Sequence, residues 1–330
     1  MIKNHNLFFY LLSLCNTLTN HQAGGQSGYA AACKAVYSGS IPDSASIDIM
    51  KIGIIGFGFV GKALANGLTD DVIVSKIDPK LNSTTKDLIE LNPDIIFICT
   101  PTPMLENGDQ DVSILRNVLE DLKKYNFESL VVIKSTVLPE NIEKIKSLYP
   151  RFIYNPEFLR EKSADEDFIN SKLVIFGGDK VNSEFLASFY KKHTKCVCED
   201  YIFTDAITAS FVKYTINSFL ATKVIFFNQL FNLFKMIDSR ESWDSFISFI
   251  SKDERIGSSH MMVPGHDGRL GFGGACLPKD TSALLKYADN LDVDLSLIKE
   301  AMRTNNKIRS SYKKQTKREE EQNITFHKED

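Results

Sequence analysis

"MKIGIIGFGFVGKALANGL", residues 50–68, joins a β-branched run to a G-x-G-x-x-G turn and then to a helical pattern. In such a turn Gly56 permits the tight bend, Gly58 lets a pyrophosphate approach the backbone, and Gly61 lets helix pack on strand. The first helical turn offers free N–H groups and the positive end of a dipole to phosphate, which brings Phe57, Phe59 and Val60 into the same candidate site. A lone G-x-G-x-x-G is weak, but here it stands between a strand and a helix. The next apolar run, "DVIVSKID", ends at Asp78, about twenty residues beyond the glycines, where an acid meets the ribose hydroxyls of an adenosine. An acid there favours NAD over NADP, because it repels a 2′-phosphate. A plain βαβ turn with a solvated aspartate is the alternative.

Strands and helices keep alternating. "DIIFICT" (94–100) and "LVVIKST" (130–136) are continuous apolar runs, as buried parallel strands should be. "RFIYNPEFLRE" (151–161) and "KLVIFGG" (172–178) look like two more, completing a doubly wound parallel sheet of Rossmann type by about residue 200. Ligands of such sheets bind beyond the carboxyl ends of the strands, which puts Thr100 and Thr136 near the nicotinamide end of a cofactor. Either could instead cap a helix, and the local pattern favours the cap. From Thr204 to Ile237 the pattern is helical without Pro or Gly, a rod about 50 Å long. "ESWDSFISFISKDERIG" adds a helix, and the stretch from Thr281 to Tyr312 adds two. The expected fold class is therefore α/β: a Rossmann-type sheet followed by an all-α domain with a long central helix. Residues 50–200 form the first domain, 201–312 the second, and "KKQTKREEEQNITFHKED" (313–330) reads as a solvated charged tail.

Bulk properties narrow the function classes. A net charge of −3 argues against a broad nucleic-acid or membrane-surface footprint. Six cysteines in 330 residues are too sparse for a disulfide scaffold and suit a cytoplasmic protein. Cys196 and Cys198 lack a second cysteine pair, so no metal site is expected. "FLATKVIFFNQLFNLFKMI" (219–237) is apolar, yet Lys223, Asn228, Gln229, Asn232 and Lys235 interrupt it, so it reads as a buried helix of a soluble protein and not as a membrane span. Residues 1–49 differ from the rest. "MIKNHNLFFYLLSLC" has a basic start and a short apolar run, a weak echo of a secretory signal, and residues 16–49 show no sustained hydrophobic period. Met50 looks like the natural start of a domain, and 1–49 like a non-structural extension.

Chemistry concentrates in "GFGGACLPKD" (271–280), where Cys276 follows three glycines and precedes Lys279 and Asp280. A thiol beside cationic groups is a candidate thiolate, and the thiolate is the nucleophile. A buried structural cysteine in a turn is the alternative. Lys213 and Asn217 sit four apart on one helix face. A surface lysine beside a polar neighbour would look similar, although apolar side chains flank this pair on both sides.

"GFGFVG", "TPTP", "KST", "NPEFLRE", "FVKYTINSFLATK", "DERIG" and "GFGGACLPKD" follow one another over roughly residues 50–310. Together they resemble the UDP-glucose/GDP-mannose dehydrogenase family. The resemblance implies a Rossmann domain, a long helix that dimerises, and normally a second Rossmann-like domain for the nucleotide, which is not found after Tyr312. By position, Cys276 would be the nucleophile, with Lys213, Asn217 and Asp280 around it. Thr136 and Glu157 would help position water and the sugar, and Glu161 and Lys279 would lie near NAD. The sugar nucleotide would meet Glu157, Phe158, Leu159 and Arg160, together with Gly265, His266, Asp267, Gly268, Arg269 and Gly273. Arg255 resembles an arginine that reaches the neighbouring subunit's substrate. The implied activity is NAD-dependent oxidation of UDP-glucose to UDP-glucuronate. It needs two hydride transfers, the second from a thiohemiacetal on Cys276 that leaves a thioester for water to cleave. GDP-mannose or a UDP-N-acetylhexosamine are alternative substrates. A non-catalytic NAD-binding dimer, or a β-hydroxyacid dehydrogenase without a catalytic cysteine, are alternatives of another kind. Ser210 and Gln229 stand where the family often has glutamate.

Overall fold

A computed structural model describes residues 49–327, so the expected extension over 1–49 lies outside it but for Ile49. Seven strands form one sheet: β1 (Met50–Ile55), β2 (Val72–Ile77), β3 (Ile95–Ile98), β4 (Leu130–Ile133), β5 (Phe152–Tyr154), β6 (Ile175–Gly177) and β7 (Ile202–Thr204), in the order β2-β1-β3-β4-β5-β6-β7. All pairings are parallel except β5 with β6, which run antiparallel where Tyr154 faces Gly177. The expected all-parallel sheet is thus mostly parallel, and it extends through Thr204. The strands from "RFIYNPEFLRE" and "KLVIFGG" shrink to three residues each. Pro156 has no N–H for a ladder, and Gly178 is followed at once by the Asp179 cap of a helix.

Both faces of the sheet are covered, which explains why its strands are continuously apolar and not alternating. Ile52, Ile54, Phe97, Val132 and Phe176 point to one core with α1 (Phe59–Asn66), α5 (Ala164–Ile169) and α6 (Lys180–His193). Ile55, Ile96, Ile98, Val131 and Ile133 point to the other. There they meet Leu115, Leu119 and Leu122 of α3 (Ser113–Lys124), with Ile142 and Ile145 of α4 (Pro139–Leu148). The short α2 (Leu88–Leu91) closes the edge, with Leu88 buried against Gly53.

The expected long rod is α7 (Ala206–Phe234), capped by Asp205 accepting from Thr208 N. It is 29 residues long, about 44 Å. Its start packs on the sheet through Ala209, and its later turns pack against α8 (Trp243–Ile250), α9 (Leu277–Asn290) and α10 (Ser296–Arg309). Tyr214 joins Leu138, Ala283 and Leu284; Ala221 and Ile225 join Phe272 and Ala301; Phe227 joins Trp243, Met261 and Val263. No helix among the described residues is long and apolar enough to cross a membrane.

The segment after Tyr312 departs from expectation. It is not a solvated tail: residues 317–321 form α11, Glu319 and Ile324 are fully buried, and a capping box closes between Thr316 and Glu319. The charge run hides one acid that finds a buried partner, Arg309 at 2.6 Å.

Candidate functional site

The sheet order reverses at β1, with β2 on one side and β3 on the other, and ligands of such sheets bind beyond the carboxyl ends of the strands at that reversal. Gly56 ends β1 there with φ +91°, and a Cβ on it would lie 2.6 Å from the Cys99 carbonyl. Only glycine fits both conditions. A Cβ on Gly61 would strike the Gly56 carbonyl, so helix and turn touch directly. Gly58, the N-cap of α1, faces open space. Phe57, Phe59 and Val60 beside it are half-buried.

Asp78 follows β2 with one carboxylate oxygen 2.7 Å from the Phe57 N–H and the other 2.8 Å from the Lys80 N–H. The carboxylate is thereby aimed at the glycine turn. Glycines that admit a phosphate backbone and an acid fixed beside them fit a dinucleotide.

Neither Thr100 nor Thr136 caps a helix. Leu138 is the N-cap of α4, and no helix follows Thr100 before Ser113. The two threonines belong instead to one polar seam at the ends of β3 and β4. Thr100 Oγ1 lies 3.3 Å from Ser135 Oγ, and the Thr136 carbonyl accepts from Thr102 Oγ1 at 2.9 Å and from Gln110 Nε2 at 2.8 Å. Gln110 also donates to the Tyr214 hydroxyl and accepts from Leu138 N and Asn141 Nδ2. It therefore ties the strand ends to α4 and α7, a role with no signal in its sequence neighbourhood. Ser210 Oγ donates to the Val137 carbonyl at 2.5 Å, holding the same loop against α7, whereas Gln229 is exposed and takes no part in this seam.

Cys276 is the N-cap of α9 and half-buried. One turn later Asp280 is 1% exposed, 2.6 Å from Asn217 Nδ2 and 2.5 Å from Lys279 Nζ. Lys213, one turn before Asn217, is buried, donates to the Glu157 carbonyl and lies 5.3 Å from the centre of the Phe158 ring. Cys276, Lys279, Asp280, Lys213 and Asn217 thus converge from two packed helices. Burial pushes the Cys276 thiol above its ordinary value and Asp280 adds to this, while Lys279 and Lys213 pull it partly back. The expectation of a ready thiolate is corrected: desolvation outweighs the neighbouring cations.

Glu157 is placed differently. Its carboxylate accepts from Leu159 N at 2.6 Å and pairs with Lys134 Nζ at 3.5 Å. Lys134 also donates to Asn155 and to the Tyr190 hydroxyl. Burial lowers the Lys134 pKa, but Tyr190, Glu157 and Cys99 outweigh it and the net direction is upward. These groups line a cavity of about 20 Å³ with Cys196, room for one water. Lys134 is therefore a site-supporting residue hidden inside the "KST" motif. Burial also drives Cys99, behind the pair, up to about 12.

Arg160 faces out, bound to Asp167 at 2.6 Å, and Glu161 is exposed and paired with Arg318. The glycine loop is shaped by a turn in which Gly265 N donates to the Arg269 carbonyl and Asp267 accepts from Arg269 N. Gly268 takes φ +72°, and the His266 carbonyl accepts from Lys162. Asp267 pairs with buried Arg309 at 2.8 Å, and a Cβ on Gly273 would strike the Arg309 guanidinium. Asn228 and Asn305 brace the loop through Gly271 N and Phe272 N. Arg255 stands apart from all of these, exposed and bound only to Asp253.

Two family models match the chain: "UDP-glucose/GDP-mannose dehydrogenase family, NAD binding domain" over residues 66–194, and the central domain of the same family over 207–307. The UDP-glucose 6-dehydrogenase of Rickettsia felis is 30% identical over 297 residues, covering 78% of this chain and 64% of the relative. The chain thus spans just under two thirds of that relative's length. The GDP-mannose 6-dehydrogenase of Pseudomonas syringae pv. tomato is 31% identical, covering 78% and 68%. A UDP-glucose dehydrogenase structure from Pyrobaculum islandicum shares the fold at a TM-score of 0.64 and 24% identity, covering 79% and 69%. The cofactor is NAD, matching the glycine turn and its acid. With both of its domain models found in order on a sheet and helix bundle of this geometry, the chain belongs to the UDP-glucose/GDP-mannose dehydrogenase family.

Proposed function

We propose that this protein oxidises the primary alcohol of a nucleotide sugar, UDP-glucose foremost, to the uronic acid. Residues 50–200 hold the cofactor and 201–312 supply the cysteine. The observation that carries this is the convergence of Cys276, Lys213, Asn217, Lys279 and Asp280 on one buried polar cluster beside the strand ends. A dehydrogenase that stops at a ketone has no use for a cysteine there.

NAD, when bound at the Gly56–Gly61 turn and Asp78, accepts hydride, and oxidation of an alcohol to an acid needs two equivalents. The alcohol first gives up its hydroxyl proton to water and one hydride to the cofactor, leaving an aldehyde; the Cys276 sulfur then adds to the aldehyde carbon, and the thiol proton passes to the carbonyl oxygen. The resulting thiohemiacetal loses a second hydride and its hydroxyl proton to become a thioester. Water then adds to the thioester carbon, the C–S bond breaks, and the thiol is regenerated with the acid. The Lys213 ammonium offsets charge on the reacting oxygen throughout. Asp280, oriented by Asn217 and Lys279, accepts the proton of the hydrolytic water.

Two further elements belong to the proposal. Phe211, Phe219, Phe226 and Leu233 are 53–64% exposed and spaced by seven or eight residues along α7. That apolar stripe supports a homodimer through this helix, which would bring Arg255 to a partner's substrate. A cytoplasmic location fits the free thiols of Cys99, Cys196, Cys198 and Cys276. The test is NADH formed per UDP-glucose and per GDP-mannose. Two NADH per sugar supports cysteine chemistry; one, or none, refutes it.

A further inference from the structure

The segment after Tyr312 touches the groups that frame the cofactor cleft. Arg318 lies 5.4 Å from the centre of the Phe59 ring at the start of α1, and its Nε is 2.5 Å from Glu161. Glu321 reaches Lys80, two residues past the ribose acid, at 3.7 Å. The Gln322 carbonyl accepts from Met104 N in the loop after "TPTP". Glu319 enters the glycine loop of the cysteine helix, accepting from Arg309 at 2.6 Å and from Gly274 N at 3.3 Å. Ile324 is fully buried, and the Phe326 ring stacks near Arg309.

The segment therefore spans from the α1 and β2 side, where the dinucleotide turn lies, to the cysteine loop. Its occupied partners matter more than its position. The Phe59 ring on the first turn of α1, the Glu161 carboxylate and the Gly274 N–H are each already engaged by the chain itself. The internal occupant is also fixed firmly: Arg309 and Glu319 are both about 1% exposed in their side chains, and a buried pair of this kind loses heavily if one member is withdrawn.

We propose that residues 313–327 form a strap that competes with NAD for the cleft, so that strap docking and cofactor binding exclude each other. The inference rests on the assignment of the cleft to NAD. When a binding-competent form is only a fraction of the population, apparent affinity falls by that fraction, and weakening the strap restores it.

Hydrogen exchange on the unaltered protein tests this without any substitution. Saturating NAD should speed exchange of backbone amides in 316–324, whereas slower exchange there would make the segment a lid over the cofactor and overturn the proposal. Calorimetric titration of NAD into Arg318→Ala gives the second arm. Arg318 makes two part-exposed ion pairs, with Glu161 and Glu321, and their loss should tighten NAD binding about three- to tenfold. A chain ended at Tyr312 should tighten it further, its fold checked by circular dichroism. Equal NAD affinity in all forms, with unchanged exchange, overturns the strap alone. No NAD binding in any form overturns the cleft assignment and the strap with it.

Discussion

Asp280→Asn separates the two halves of the proposed reaction. The side chain keeps its size, so the packing of α9 on α7 survives, but the carboxylate that serves Asn217 at 2.6 Å and Lys279 at 2.5 Å becomes a neutral amide. Hydrogen bonds to a charged group contribute about 1.5–3 kcal/mol each, and neutral ones about 0.5–1.5 kcal/mol. Two such replacements should cost about 2–3 kcal/mol of stability. That lowers the melting temperature by about 3–5 °C, which leaves a folded enzyme at 25 °C. Catalysis should suffer more selectively. Cysteine attack and both hydride transfers leave Asp280 unused, while loss of a general base slows water addition by about 10²–10⁴-fold. Rapid mixing with UDP-glucose and excess NAD should show a burst of two NADH per site followed by slow turnover. Acid-quenched protein should carry the sugar as an acyl adduct on Cys276, found by mass spectrometry. Steady-state turnover within threefold of the parent, or slow turnover without a burst or an adduct, would refute the role assigned to Asp280.

Cys276→Ser should form NADH only slowly or for a single turnover, because a serine hydroxyl is a far weaker nucleophile near neutral pH; full conversion to the acid would end the cysteine mechanism. The raised Cys276 thiol sets a pH direction. Its protonated form dominates at neutral pH, so alkylation of Cys276 should keep accelerating as pH rises to the alkaline side of the ordinary thiol range, and a plateau below pH 8 would contradict the burial argument. Asp78→Ala removes the charge that repels a 2′-phosphate, a repulsion of about 1–4 kcal/mol, so the preference for NAD over NADP should fall by at least about fivefold in titrations. Phe219→Asp, at a position 64% exposed, should leave the monomer folded but yield monomers by sedimentation at micromolar concentration; an unchanged dimer would place the interface elsewhere.

The fold was legible wherever one local rule governed it. The β1 turn could be read because glycine alone satisfies both φ +91° and a neighbouring carbonyl 2.6 Å from the would-be Cβ. Continuous apolar strands followed from a sheet covered on both faces, and α7 followed from a long helical run without Gly or Pro. The antiparallel β6 was not legible: three residues, "IFG", read the same in either direction, and only the path of the preceding helix decides. The candidate site divides along the same line. Cys276, Lys279 and Asp280 share one helical turn, and Lys213 and Asn217 another, so spacing exposed them. Gln110 and Lys134 act through partners 26 and 23 residues away, Thr136 and Glu157, and no window of sequence displays that pairing.

Charge was the least dependable guide, for a physical reason. A side chain's electrostatic behaviour depends on what surrounds it in the fold, and sequence neighbours predict that poorly. Cys276 lies near a lysine in the chain, yet burial raises its thiol pKa, because removing water costs a thiolate more than the nearby ammonium groups return. "KREEE" looks like a solvated run, yet its first acid, Glu319, is fully buried, because Arg309 waits inside with room for two partners and Asp267 fills only one. An arginine fork buried at a loop of glycines needs a second anion. The segment after Tyr312 supplies that anion from the chain itself, at the glycine loop of the cysteine helix.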